Sequence, residues 1–368
     1  MNAQARSTGH KSPIKVLVVD DSPTVREFLA YLFASDPGFQ VVGTAANGEE
    51  AVAAVKNKKP DVVTMDIHMP RMDGYAAARA IMETNPVPIV IVTGSLSEDE
   101  LRSPLAALEA GAVAVVRRPA NFHLADQAEC IRALMQTVKL MSEVKVVRRW
   151  GSHPQAKSMT EPHVDVSVQR DIKLIAIGAS TGGPLVLRQI LSQLPKPYPI
   201  PIVAVQHITE GFVGGFAEWL SGASGFPCRL AEDGESILPG CIYLAPDGKH
   251  MTVSRQGRVV LIDSEAEHGH VPSVSCLFRS VAEAYGAHAV GVLLTGMGQD
   301  GAAELGSMKD RGALTVAQDQ SSSVVYGMPG EAVRLGAASQ VLSPEKIAAA
   351  LAALVYSESL SHGKEGVT

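Results

Sequence analysis

Two series of short apolar runs, each run followed by a helical pattern, dominate this chain, and a polar interval at 144–171 separates them. In the first series Lys15–Val19, Phe39–Ala45, Val62–Met65, Ile89–Val92 and Ala114–Val116 read as strands. Helical stretches lie near Thr24–Ala34, Glu49–Asn57, Gly74–Asn85, Glu98–Ala110 and Leu124–Lys139. The second series offers strands at Leu174–Ile177, Ile202–Gln206, Ala289–Leu294 and Ala313–Ala317. Its helices fit Leu185–Gln193, Phe212–Ser221, Ser275–Tyr285, Ala302–Arg311 and Glu345–Val355. Strand-then-helix alternation predicts parallel sheets covered on both faces. Between Cys228 and Ile262 the pattern shortens, and hairpins are expected there.

The expected fold class is α/β with two doubly wound domains. The first is a flavodoxin-like parallel five-stranded sheet in 2-1-3-4-5 order; the second is Rossmann-like with some antiparallel hairpin. The expected limits are a polar tail at 1–13, a first domain at 14–143, a linker at 144–171, a second domain at 172–357 and a polar tail at 358–368. A formal net charge of -6 argues against general nucleic-acid binding, which calls for a basic face. The four cysteines form no CxxC pair, so no zinc clip or disulfide framework is suggested. The first residues lack an apolar signal core, and no run of roughly 18 apolar residues occurs. A cytoplasmic monomer is expected, reaching a membrane only through a partner.

Ligands of open parallel sheets bind beyond the carboxyl ends of the strands. Asp20 and Asp21 end the first apolar run and Asp66 ends the third. Three neighbouring carboxylates repel one another unless a hard cation neutralises them, and Mg²⁺ suits an all-oxygen set. Thr93, ending the fourth run, can donate its hydroxyl to a phosphoryl group, and Arg118, after the fifth, can supply positive charge.

In the second series Ile175-Ala176-Ile177 runs into Gly178-Ala179-Ser180-Thr181-Gly182-Gly183-Pro184, a Gly-x-Ser-x-Gly turn from strand to helix. Such a turn exposes a serine hydroxyl and aims helix N–H groups at a developing oxyanion. Taken alone, the turn also suits a nucleotide phosphate, although Ser180 stands where a dinucleotide-binding fingerprint needs its second glycine. Serine needs a base. His207 follows one strand, and Asp300 follows another through Thr295-Gly296-Met297-Gly298-Gln299. Ser180, His207 and Asp300 are thus placed on one sheet rim, which permits a hydroxyl–imidazole–carboxylate relay. The order Ser, His, Asp differs from the Ser, acid, His order of α/β-hydrolases. Asp300 also reads as a helix N-cap before Gly301-Ala302-Ala303. His250, His268 and His270 are expected as loop residues or substrate contacts.

Residues 14–140, with Asp20-Asp21, Met65-Asp66-x-x-Met69-Pro70-x-Met72-Asp73-Gly74 and Thr93, resemble a two-component receiver domain. The resemblance implies Asp66 as phospho-acceptor, with Asp21, Asp66 and the His68 carbonyl as Mg²⁺ ligands and Asp20 in support. This chain departs from it in Arg118, where receivers usually carry Lys, and in Val115 at the usual aromatic switch position. The stretch 172–355 carries Ile177–Pro184, Gln206-His207, Leu294–Gly301 and Gly327-Met328-Pro329, and it is similar to the chemotaxis protein-glutamate methylesterase/protein-glutamine glutaminase family. Ser275 is a departure, since the family commonly has Asp there, and a substrate-side or interdomain contact is expected to change.

That likeness implies phosphorylation-regulated hydrolysis of glutamate methyl esters on chemotaxis receptors, with glutamine deamidation as a further activity. The Thr181 N–H and a group at Met297 would hold the oxyanion, and no cofactor is expected for the ester chemistry. A chemotaxis histidine kinase would be the phosphodonor. The competing expectation is a receiver-controlled binding module without hydrolase activity.

Overall fold

The computed structural model describes residues 12–94, 107–119, 124–144, 146 and 171–359. The expected helix at Glu98–Ala110 therefore lies largely outside the described residues, as does most of the linker. The chain divides into two compact units.

The first unit holds β1 (Ile14–Val19), α1 (Pro23–Ala34), β2 (Phe39–Ala45), α2 (Gly48–Lys58), β3 (Val62–Met65), α3 (Gly74–Thr84), β4 (Ile89–Thr93), β5 (Ala114–Arg117) and α4 (Leu124–Met141). Its five strands pair in parallel in the order β2-β1-β3-β4-β5. Val16–Val19, Val62, Val63 and Ile89–Val92 are all buried. Continuous apolar strands of this kind need helices on both faces. Burying each such side chain contributes about 1.5–3 kcal/mol. The helix starts are encoded locally. Asn47 accepts the Glu50 N–H at 3.0 Å, and Glu50 reaches back to the Ala46 N–H at 2.9 Å, a capping box that opens α2. Asp73 accepts the Ala76 N–H at 2.8 Å to open α3.

The second unit contains β6 (Leu174–Ala179), α5 (Gly183–Ser192), β7 (Ile202–Gln206), α6 (Val213–Ser224), β8 (Cys228–Leu230), β9 (Ile242–Leu244), β10 (His250–Val253) and β11 (Val259–Ile262). After these come α7 (Val274–Tyr285), β12 (Ala289–Leu293), α8 (Ala302–Asp310), β13 (Leu314–Gln318), α9 (Met328–Arg334), β14 (Gln340–Leu342) and α10 (Pro344–Ser359). Seven strands form a parallel sheet in the order β14-β13-β12-β6-β7-β9-β8. The hairpins expected across Cys228–Ile262 reduce to one, the antiparallel pair β10–β11. β8 and β9 instead join the edge of the main sheet in parallel. At three residues each they are too short to display a readable period. The short helix α9 and edge strand β14 extend the unit beyond the expected elements. All four cysteines are free. Among the described residues no helix is long and apolar enough to cross a membrane.

Strand order places a crevice in each unit. In the first, the chain leaves β1 for β2 on one side and later takes β3 on the other. In the second, β6 is flanked by β7 and β12 in the same way. Ligand sites of doubly wound sheets sit at such switch points, outside the carboxyl ends of the strands.

Candidate active site

Ser180, His207 and Asp300 follow β6, β7 and β12, three adjacent strands at the switch point of the larger sheet. Ala179 and Gln206 are direct partners in the parallel ladder, so Ser180 and His207 leave the sheet side by side. The His207 N–H donates to the Ala179 carbonyl at 2.9 Å, and the Ser180 N–H donates to the Thr295 carbonyl at 3.0 Å. Gln206 locks the two exits together, its Nε2 donating to the Ser180 and His207 carbonyls, each at 2.8 Å. The turn after Ser180 needs Gly182, which sits at φ 81°, the left-handed region that other residues rarely enter. The Gly183 N–H then closes onto the Ser180 carbonyl at 2.8 Å and α5 begins.

His207 Nε2 and Asp300 Oδ2 are 2.9 Å apart, with both side chains buried. A neutral imidazole that donates from Nε2 keeps its lone pair on Nδ1. His207 Nδ1 is buried and has no hydrogen-bond partner. Asp300 does not cap its own helix: Gly301 occupies that position, and no side chain caps it. Its carboxylate turns instead to the start of α7. Oδ1 accepts from Ser273 Oγ at 2.8 Å and the Ser275 N–H at 3.0 Å, and Oδ2 accepts from the Val274 N–H at 2.7 Å. Burial opposes ionisation of Asp300, but bonds from His207, Ser273 and Ser275 outweigh it and hold the carboxyl well below the usual range.

Ser275, expected at a substrate-side or interdomain contact, is buried beneath this arrangement. Its hydroxyl donates to Glu304 at 2.7 Å and accepts the Gly301 N–H at 2.9 Å. The acidic side chain at this spot is Glu304, one turn along α8.

His270, expected only as a loop residue or substrate contact, lies against the centre of the site. Its ring stacks on that of His207 with centroids 3.9 Å apart and planes 12° apart. A tight turn through His268 (φ 54°) and Gly269 (φ 81°) delivers it, closed by Glu267–His270 backbone bonds of 3.0 and 3.2 Å. Burial and the neighbouring His207 push the His270 pKa down to about 4. His250 is fully buried and braces the same loop, donating from Nε2 to the Glu265 carbonyl at 3.1 Å while Nδ1 accepts the Ser273 N–H at 3.1 Å. No spacing rule links residues 207 and 270; only the turn brings them together.

Met297 is half-buried in the loop that precedes Asp300. That loop is pinned at Gly296, whose carbonyl accepts the Gly327 and Met328 N–H groups at 3.0 and 2.9 Å. Thr295 Oγ1 donates to the Thr181 carbonyl at 2.9 Å, coupling the loop to the serine turn.

In the first unit Asp20, Asp21 and Asp66 bring carboxylate oxygens within 4.8 Å of one another. Asp20 and Asp66 are buried, and Asp21 is exposed. Burial first, and then the Asp66 charge, raise the Asp20 pKa to about 6. Burial likewise raises that of Asp66. One Asp20 oxygen, Oδ2, is buried without a hydrogen bond and faces Arg118 Nη1 at 3.6 Å. Hard oxygen donors that burial and neighbouring carboxylates push toward the neutral form fit a small divalent cation. His68, at the exit of the same strand loop, is exposed, and Thr93 is buried at the end of β4. The Arg118 N–H donates to the Thr93 carbonyl at 2.8 Å. Val115 is half-buried on β5.

The CheB methylesterase family model matches residues 175–351, and the response regulator receiver domain model matches 16–128. A protein-glutamate methylesterase/protein-glutamine glutaminase of Nitrosospira multiformis is 53% identical over 93% of this chain and 97% of that protein. The chain belongs to the CheB methylesterase family. A relative of the same description from Geobacter metallireducens is 50% identical over 93% of this chain and 99% of its own length. The crystal structure of the Thermotoga maritima CheB methylesterase catalytic domain is similar at 37% identity, covering 50% of this chain and 98% of that one, with a TM-score of 0.49. The chain is thus a methylesterase, a hydrolase joined to a receiver domain, and a pure binding module is not favoured.

Proposed function

We propose that Ser180, His207 and Asp300 hydrolyse γ-glutamyl methyl esters on methyl-accepting chemotaxis receptors, under control of phosphorylation at Asp66. The observation that carries the reading is the buried His207–Asp300 pair beside Ser180, at the carboxyl ends of three adjacent strands.

The nitrogen assignment follows from that pair. Asp300 holds the Nε2 proton, so Nδ1 takes the Ser180 proton as Oγ attacks the ester carbonyl. The Thr181 N–H and the Met297 position of the pinned loop hold the oxyanion. Nδ1–H then protonates the departing methoxide, methanol leaves, and water repeats the sequence on the acyl-enzyme. A glutamine amide follows the same path with ammonia as leaving group. It depends more on that proton, so deamidation is the slower activity. The ester chemistry uses side chains and backbone N–H groups alone.

In the receiver, Asp66 accepts the phosphoryl group from a histidine kinase, with Thr93 and Arg118 beside it. Asp20, Asp21 and Asp66 with the His68 carbonyl would hold Mg²⁺, which when bound offsets carboxylate and phosphoryl charge. The reading places the enzyme in the cytoplasm as a monomer, meeting membranes through its receptors. Its test is methanol release from methylated receptor by the full chain and by Ser180→Ala.

A further inference from the structure

Arg118 stands where receivers usually carry Lys, and the residue that accommodates it is Gly94. A Cβ built on Gly94 would lie 2.6 Å from Arg118 Cζ and 2.7 Å from Nε, and closer still to Nη2. Comfortable carbon–carbon contact is about 3.5–4.0 Å, so guanidinium and methyl cannot share that space. Arg118 is anchored through its backbone, and its guanidinium faces one acid. Its backbone N–H is tied to the Thr93 carbonyl at 2.8 Å, and Nη1 faces the otherwise unpartnered Asp20 Oδ2 at 3.6 Å. The guanidinium therefore lies across Gly94 with one nitrogen toward the acidic site.

We propose that Gly94 is the seat of Arg118: the missing side chain at 94 lets a planar guanidinium take the place of the usual ammonium over the Asp20–Asp66 site and serve phosphoryl transfer there. The proposal rests on Asp66 as phospho-acceptor. Gly94 is a positioning residue, acting through Arg118. An ammonium is a compact point charge on a flexible stem, with no plane to seat, so the requirement belongs to Arg and not to Lys. The three atoms nearest an added methyl all belong to the end of one flexible side chain, so Gly94→Ala folds but displaces the guanidinium.

The test uses the full chain with Mg²⁺ and ³²P-labelled acetyl phosphate. Transfer forms a phosphorus–oxygen bond to an Asp66 carboxylate oxygen and releases acetate. Initial labelling rates are compared for the parent, Gly94→Ala, Arg118→Lys, the double variant and Asp66→Asn. Loss of a charge-assisted contact predicts that Gly94→Ala slows labelling by about tenfold when Arg118 is present. When the same change is made on top of Arg118→Lys, the rate stays within about twofold, the scatter of uncoupled sites. In the unphosphorylated chain, the Arg118 Nε–Hε resonance moves on Gly94→Ala.

Equal slowing in both backgrounds, or in neither, overturns the proposal, as does an unmoved Arg118 resonance. Absence of label in the parent, or full label in Asp66→Asn, overturns the phospho-acceptor reading and the proposal with it. That result is distinguishable because it requires no comparison between backgrounds.

Discussion

His207 meets Asp300 through Nε2, at 2.9 Å, and its other ring nitrogen is buried without a partner. In the familiar Ser-His-Asp relay the carboxylate faces Nδ1 and Nε2 handles the serine proton. Here the carboxylate faces Nε2 instead. His207 leaves β7 on one side of β6, and Asp300 follows β12 on the other.

Asp300→Asn replaces an acceptor of four donors with an amide that can satisfy only part of them. By analogy with other triads the variant loses roughly 10⁴-fold in kcat. It also loses about 1–3 kcal/mol of stability from mismatched buried donors. Steady-state methanol release and denaturant unfolding measure the two effects separately.

Ser275→Asp brings a second carboxylate against Glu304 and within reach of Asp300. The single change is expected to destabilise the second unit by about 1–3 kcal/mol. Ser275→Asp with Glu304→Ala removes the added repulsion and recovers most of that loss. Melting temperatures of the two variants decide it, and additive losses would contradict the pairing.

His270 gives the fold a pH dependence of defined sign. Its folded pKa, about 4, lies below the ordinary 6.5, so between those values the unfolded chain binds more protons than the folded one. Stability therefore declines as pH falls from 6.5 towards 4 and flattens below that. His270→Phe keeps a ring beside His207 and removes this contribution, on the order of 2 kcal/mol after allowing for solvent at a half-buried ring. The difference between parent and variant unfolding curves across this range isolates it. A constant difference would contradict the assignment.

Asp66→Asn is expected to keep the resting esterase rate and to lose the increase that acetyl phosphate with Mg²⁺ produces in the parent. Chelating Mg²⁺ should abolish labelling at Asp66 and leave resting methanol release unchanged. Coupled phosphate-label and methanol assays on one preparation measure both.

The parts of this architecture that are legible in the sequence are those governed by strand ends. Asp20, Asp66, Ser180 and His207 directly follow apolar runs, and a parallel sheet sends all such residues to one rim. What stays hidden depends on partners distant in the chain. Asp300 precedes Gly301-Ala302-Ala303 and looks like a cap for that helix. Besides His207, its donors are Ser273, Val274 and Ser275, at the start of α7, which packs against α8. His270 carries no periodic signal, and its position depends on a two-residue turn. β8 and β9 read wrongly as hairpin strands because three residues cannot show whether their partner runs parallel or antiparallel. α9 escapes a reading of the sequence because Gly327-Met328-Pro329-Gly330 has loop composition, although Pro near a helix start is favourable.

The most direct test of the account is methanol release from methylated receptor by the full chain carrying Ser180→Ala, with folding verified by an unchanged melting temperature. The account predicts that release falls to the uncatalysed background. Turnover near the parent rate from a folded Ser180→Ala protein would contradict it.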